Sequence, residues 1–241
     1  MKQDSMRGKT EDETKMLFLL KTMKAKHVED TIKKGRFCFN HPSVFNKWEA
    51  IDSAQFDEWD SHSARNVRHV LFAPILEERE GLLPLYGEPQ KLADEAVMRF
   101  QSNYVKHSPI CCFRIVDEDE VVIGADSFSF SLGDIVDRIM TEFGHDSYVM
   151  INARAFHERL YEKTNFIARF VTYRDTTNDY EFKAPAEYKE IIEQLFRKDE
   201  RFEWQKEYRI VLPPSEDSPV FVELGSIEDI AFCGKISDLR V

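Results

Sequence analysis

At 241 residues, 42% of them hydrophobic and 19 of them phenylalanine, the chain carries enough apolar material for one large core, and no linker divides it. Its 33 basic and 44 acidic residues leave a net charge of −11, which disfavours non-specific binding to nucleic acid. No apolar run reaches membrane-spanning length and the N-terminus lacks a signal-peptide core, so the expectation is a cytoplasmic protein.

Residues 1–13 are polar and read as a flexible tail, with a single α+β domain over 14–241. Met16–Leu20 is an apolar run that suits a strand or the opening of a helix. His27–Lys34 reads as a helix capped by Gly35, Arg36–Phe39 as a strand, and His41–Asn46 as a loop, because Pro42 pushes His41 out of helical geometry. Residues 47–108 are mostly polar. The clearest helix there is Lys91–Lys106, with Leu92, Ala96, Phe100 and Tyr104 on one stripe. A strand follows from Pro109 through Val116, then an acidic turn, Asp117–Glu120, and a hairpin partner at Val121–Ile123. Ser131 is placed to cap a helix over Ile135–Phe143, which Gly144 ends.

Further on, Ser147–Ile151 reads as a strand, Ala153–Glu162 as a helix and Phe166–Tyr173 as a strand. Pro185 opens a helix over Ala186–Arg197 with Tyr188, Ile191, Ile192, Leu195 and Phe196 on its apolar face. Val220–Leu224 and Asp229–Cys233 supply two late strands. Interleaved strands and helices with hairpin-like spacing near both ends argue for an α+β fold around a mixed, mostly antiparallel core sheet with flanking helices.

The chemistry concentrates in Trp204–Leu212. Alternation along a strand places Gln205, Glu207 and Arg209 on one face and Trp204, Tyr208, Ile210 and Leu212 on the other, with Lys206 discordant. A carboxylate two residues from an amide can hold a sugar hydroxyl while the amide orients a nucleophile; the same row also suits a face that meets cross-strand partners. Two other clusters invite metal chemistry. Asp57, Asp60 and His62 offer ligands, but such a run reads as a solvated helix face. Glu181-x-Lys183 with Asp175 and Asp179 has a nuclease-like form in turn-like surroundings. No metal is expected. Cys38, Cys111, Cys112 and Cys233 show no ligand spacing and read as small buried hydrophobes in a reducing compartment.

Gln205-x-Glu207 resembles the Gln/Glu-x-Glu element of ADP-ribosyltransferases. The strand–helix–Gly–strand start, Leu17–Thr22 through Val28, Ile32, Gly35 and Phe37–Phe39, is similar to the start of that superfamily. Gly35, Phe37, Phe39, Pro42, Phe45 and Asn46, with Trp204, Glu207, Tyr208, Arg209 and Ile210, also look like an uncharacterised family of bacteria and phages. The resemblance implies an ADP-ribosyltransferase-like fold and NAD as substrate. It further implies a protein or nucleic-acid acceptor, and a setting of toxin, phage defence or host takeover. On that basis Glu207 would stabilise the sugar cation and Gln205 would position the acceptor. Lys21, Thr22, His41, Asn46 and Arg209 would hold the dinucleotide. The superfamily's first-strand His or Arg has no counterpart; Lys21 or Thr22 stands nearest. The alternative is a non-catalytic binding protein on the same fold.

Overall fold

Strand β1 (Phe18–Met23) pairs antiparallel along its whole length with β8 (Ser147–Asn152) but only over Phe18–Leu20 with β5 (Ile110–Val116). These three lie inside a six-stranded sheet completed by β12 (Glu207–Val211), β9 (Ile167–Phe170) and β14 (Ala231–Lys235), in the order β14-β8-β1-β5-β12-β9. Every pairing in it is antiparallel. The computed structural model describes residues 18–45, 63–66, 97–100, 103–123, 128–174 and 192–240.

Among the described residues, four two-stranded ribbons accompany the sheet. β2 (Arg36–Phe39) pairs with β13 (Val220–Glu223), β3 (Ser63–Asn66) with β4 (Val97–Phe100), and β6 (Val121–Ile123) with β7 (Phe128–Phe130). The fourth, β10 (Thr172–Arg174) with β11 (Arg197–Asp199), is parallel. The fold is therefore α+β, and its core sheet is antiparallel throughout rather than mixed.

One face of the sheet carries the main core, in which Leu19, Phe37, Phe39, Phe113, Ile151, Phe156, Tyr208 and Ile210 are buried together. Each such side chain contributes about 1.5–3 kcal/mol by leaving water. The helix Val28–Lys34 closes against this core through Gly35, whose φ of 57° is left-handed. A Cβ there would fall 2.3 Å from the Gly225 carbonyl oxygen, so only glycine lets the loop approach. On the same side, the helix Ala153–Lys163 starts at Asn152, whose side chain accepts the Ala155 N–H at 2.9 Å.

The opposite face is covered by two separate apolar clusters. One contains Leu20, Val116, Val136 and Ile139, with Phe143 and Trp204 packed against it; the other contains Ile110, Leu195, Phe196 and Val211. Between them lies a seam where polar residues stand.

Several expectations change. Among the described residues of the expected Lys91–Lys106 helix, Val97–Phe100 is a strand and Asn103–Lys106 is helical, because pairing with β3 overrides the helical periodicity. Val121–Ile123 pairs with β7 instead of turning back on β5. Phe166–Tyr173 splits at Val171 into β9 and β10, which belong to different sheets. Of the predicted helix ending at Arg197, only residues 192–194 are helical among those described, and Arg197 already starts β11. Cys38 and Cys233 are exposed, so two of the four cysteines are not core residues. The acidic turn holds: Glu118–Glu120 forms one tight helical turn whose capping box joins Asp117 and Glu120.

Candidate functional site

Strands β1 and β5 part company after Leu20↔Arg114, although both continue. Beyond that point the end of β2 takes over the edge of β5: the Asn40 N–H donates to the Ile110 carbonyl at 3.0 Å and the Ile110 N–H to the Asn40 carbonyl at 2.8 Å. The split leaves carbonyls of β5 facing a gap instead of a strand. Lys21 reaches across, and its Nζ donates to the Cys112 carbonyl oxygen at 2.7 Å, supplying from a side chain what the ladder no longer provides. A cavity of about 260 Å³ opens at this place, somewhat below the usual size of small-molecule pockets (roughly 300–1,000 Å³). It lies in the seam between the two apolar clusters. Lys21, Thr22, Asn40, Cys112, Arg114, His145, Lys198, Trp204, Gln205 and Glu207 all line it.

Glu207 and Gln205 do not stand on one strand. Residues Glu200–Gln205 form a 3₁₀ helix, Lys206 adopts a left-handed conformation with φ 41°, and β12 begins at Glu207. This left-handed residue explains why Lys206 breaks the alternation, and its ammonium is held outside by Asp117 at 2.6 Å and Glu120 at 3.2 Å. Tyr208, Ile210 and Leu212 face the main core as expected. Trp204 instead packs on the other side of the sheet, 5.9 Å from Phe143 and under the Arg138 guanidinium at 4.0 Å. Gln205 and Glu207 converge all the same, because Lys198 Nζ donates to Gln205 Oε1 and to Glu207 Oε2, each at 3.0 Å.

Glu207 is 5% exposed, and Arg209 Nε donates to its second oxygen at 2.7 Å. Burial by itself would push this carboxyl up; the Arg209 and Lys198 charges overturn that and hold it well below the usual carboxylate range. Glu207 is thus a permanent anion with both oxygens engaged. Tyr173 on β10 completes the clamp, its hydroxyl oxygen accepting the Glu207 N–H at 2.8 Å. Burial and the adjacent carboxylate raise the Tyr173 phenol well above its ordinary pKa, so it remains protonated.

On the far wall, Thr22 Oγ1 and His145 Nδ1 are hydrogen-bonded at 2.9 Å. Burial, then the Lys21 and Lys24 charges, lower the His145 pKa to about 4, so the ring is neutral at neutral pH. Burial pulls Lys21 down as well, but the neighbouring Cys111 and Cys112 sulfurs and the Glu207 carboxylate outweigh it and leave its pKa raised. Of these neighbours only Glu207 is charged near neutrality, since burial raises both thiols.

The structure brings together Glu207, Gln205, Lys21 and Thr22 and separates the other expected residues from them. Arg209 is fully buried behind Glu207, with its Nη1 donating to the Leu195 carbonyl at 2.7 Å, and does not line the cavity. His41 does not line it either; it is buried against His107, ring centroids 5.7 Å apart. The bonds to Glu207 and Leu195 turn Arg209 away from the cavity, and His41 packs on His107 instead. Asn46 lies outside the described residues, as do Asp57, Asp60, His62, Asp175, Asp179, Glu181 and Lys183. Among the described residues no group of His, Cys, Asp and Glu is arranged to hold a metal, and no helix is long and apolar enough to cross a membrane.

Sequence reasoning missed Lys198, Tyr173, Arg114, Asn40 and His145. No protein-family model, curated protein or solved structure matches this chain.

Proposed function

We propose that the cavity at the β1–β5 split binds NAD and that the protein transfers its ADP-ribose to an acceptor or to water. The observation that carries this is the convergence of Gln205, Glu207, Lys21 and Thr22 on one cavity although they come from opposite ends of the chain. In this reaction the bond between the ribose C1′ and the nicotinamide nitrogen breaks, and nicotinamide leaves with the electron pair. The fixed negative charge of Glu207 opposes the positive charge that develops on the sugar. Gln205 aligns the incoming hydroxyl, whose proton is released to solvent. Such an activity suits a cytoplasmic protein acting in conflict between bacteria and phages, with a protein or nucleic acid as acceptor.

A second reading, binding without turnover, is favoured by one specific feature. Arg209 and Lys198 occupy both Glu207 oxygens, so the carboxylate faces the sugar only after one of them yields.

Incubation with NAD separates the two. Transfer or hydrolysis predicts nicotinamide release that Glu207→Gln abolishes while far-UV circular dichroism stays native; Gln205→Ala lowers it with less disturbance of the buried charges. An NAD-induced rise in melting temperature without nicotinamide release supports the binding protein. Neither effect at millimolar NAD removes NAD from consideration.

A further inference from the structure

We infer that His41 and His107 form an acid-released latch that holds the loop at residues 213–218 against the end of β2. The two rings lie 5.7 Å apart and nearly perpendicular, at 76°. They flank the Asn40↔Ile110 bridge, whose two residues line the cavity: His41 directly follows Asn40, and His107 stands three residues before Ile110. The latch does not depend on which ligand the cavity takes.

Both histidines tie the loop down. The His41 backbone N–H donates to Ser218 Oγ at 3.3 Å, and its ring donates to the Ser215 carbonyl. From the other side, the Ser215 N–H donates to the His107 carbonyl at 2.9 Å. Ser215 is thus held between the two.

Neither ring is well placed to take a proton while the loop is closed. His41 is 8% exposed, and its Nε2 is buried without a hydrogen-bond partner. The Nδ1 of His107 is likewise buried without one, with Glu216 Oε2 at 3.8 Å beside it. A proton added to His41 therefore puts a charge where Nε2 meets no acceptor and where a second imidazole stands close enough for two positive rings to repel. Two charged or titratable groups face His41 among the described residues. His107 comes from the turn after Asn103–Lys106 and Glu216 from the loop itself; their chain neighbours Lys106 and Asp217 are exposed. Burial first and His107 second lower the His41 pKa, outweighing the Ser215 carbonyl and the Glu216 carboxylate, which raise it.

Once the loop lifts, His41 reaches water and regains an ordinary histidine pKa of about 6.5. The closed latch binds this proton more weakly than the open one. It is therefore fully closed above about pH 6.5 and opens as the pH falls below that value. Opening frees the loop and, with it, the wall that Asn40 gives the cavity.

Hydrogen–deuterium exchange of the full chain, read as protection relative to intrinsic exchange between about pH 7.5 and about pH 5, tests this. Peptides covering His41–Val44 and Ser215–Ser218 are expected to lose protection below about pH 6.5 by up to about tenfold per pH unit, the limit for one proton, while the β8 peptide Ser147–Ile151 keeps its own. His41→Gln is expected to remove the pH dependence, whatever it does to the level of protection. His107→Gln, at a half-buried position, removes the neighbouring charge and is expected to reduce the pH dependence; it decides the matter if His41→Gln does not fold. Loop protection that is flat with pH would overturn the latch. So would a slope that survives His41→Gln, a slope unchanged by His107→Gln, or an equal loss of protection in β8.

Discussion

Tyr173 and Lys198 stand opposite each other in the parallel β10–β11 ribbon, and both hold the segment that carries Gln205 and Glu207. Tyr173 takes the Glu207 backbone N–H, while Lys198 takes the side-chain oxygens of Gln205 and Glu207. One register pair therefore fixes the bend at Lys206 and the direction of the Gln205 and Glu207 side chains. Neither partner is near the segment in a way that strand alternation could reveal, because the ribbon joins residues more than twenty apart in the chain.

Glu207 is the carboxylate shared by buried Lys198 and Arg209, so Glu207→Gln strands two buried cations and is expected to destabilise the protein by about 3–5 kcal/mol. Lys198→Met leaves Glu207 paired with Arg209 and is expected to cost less. The double variant is expected to cost less than the sum of the two, since it removes the pair together. Urea denaturation of the four proteins measures this; strict additivity would show that the contact seen at 3.0 Å carries no coupling.

A pH effect follows from His157. Its ring lies 5.7 Å from both Phe166 and Tyr208, its Nε2 is buried without a partner, and burial lowers its pKa from 6.5 to about 4. Between those values the unfolded chain binds the proton and the folded chain does not, so stability is full above about pH 6.5 and falls as the pH drops towards 4. The expected loss from this residue is about 2–3 kcal/mol. His157→Phe is expected to reduce the slope of melting temperature against pH over that window. It should not abolish the slope, because His145 is shifted in the same direction. An unchanged slope would place the proton uptake elsewhere.

Gly35→Ala tests the loop approach beneath the N-terminal helix. The left-handed backbone costs a non-glycine residue about 1–2 kcal/mol, and the clash with the Gly225 carbonyl adds to it. A total loss of more than about 2 kcal/mol in thermal or chemical denaturation is expected. Gly144→Ala provides the comparison: its φ is 60°, but open space surrounds its Cβ position, so only the backbone cost applies.

The sequence made some of this legible and hid the rest for identifiable reasons. Tyr208, Ile210 and Leu212 were readable because a strand with one buried face must alternate, and Ser147–Ile151 because its continuous apolar run suits a strand buried on both faces. Gln205 reaches the same cavity as Glu207 by a route other than strand alternation, since the left-handed Lys206 ends strand geometry between them. Arg209 reads as a ligand contact in the sequence because nothing local shows that its guanidinium is engaged by the Glu207 carboxylate and the Leu195 carbonyl. Lys198 lies in a three-residue strand with no periodicity of its own, and His145 in a connection whose meeting with Thr22 depends on the β1–β8 pairing. Long-range pairing decided each of these, and local pattern does not encode it.

The most direct measurement is a crystal structure of the protein with NAD or a non-cleavable analogue. The expected result is electron density in the cavity at the β1–β5 split, with the nicotinamide ribose against Gln205 and Glu207 and the rest of the dinucleotide beside Lys21 and Thr22. Density at another site, or an empty cavity under conditions where NAD binds in solution, would contradict the assignment of this cavity to NAD.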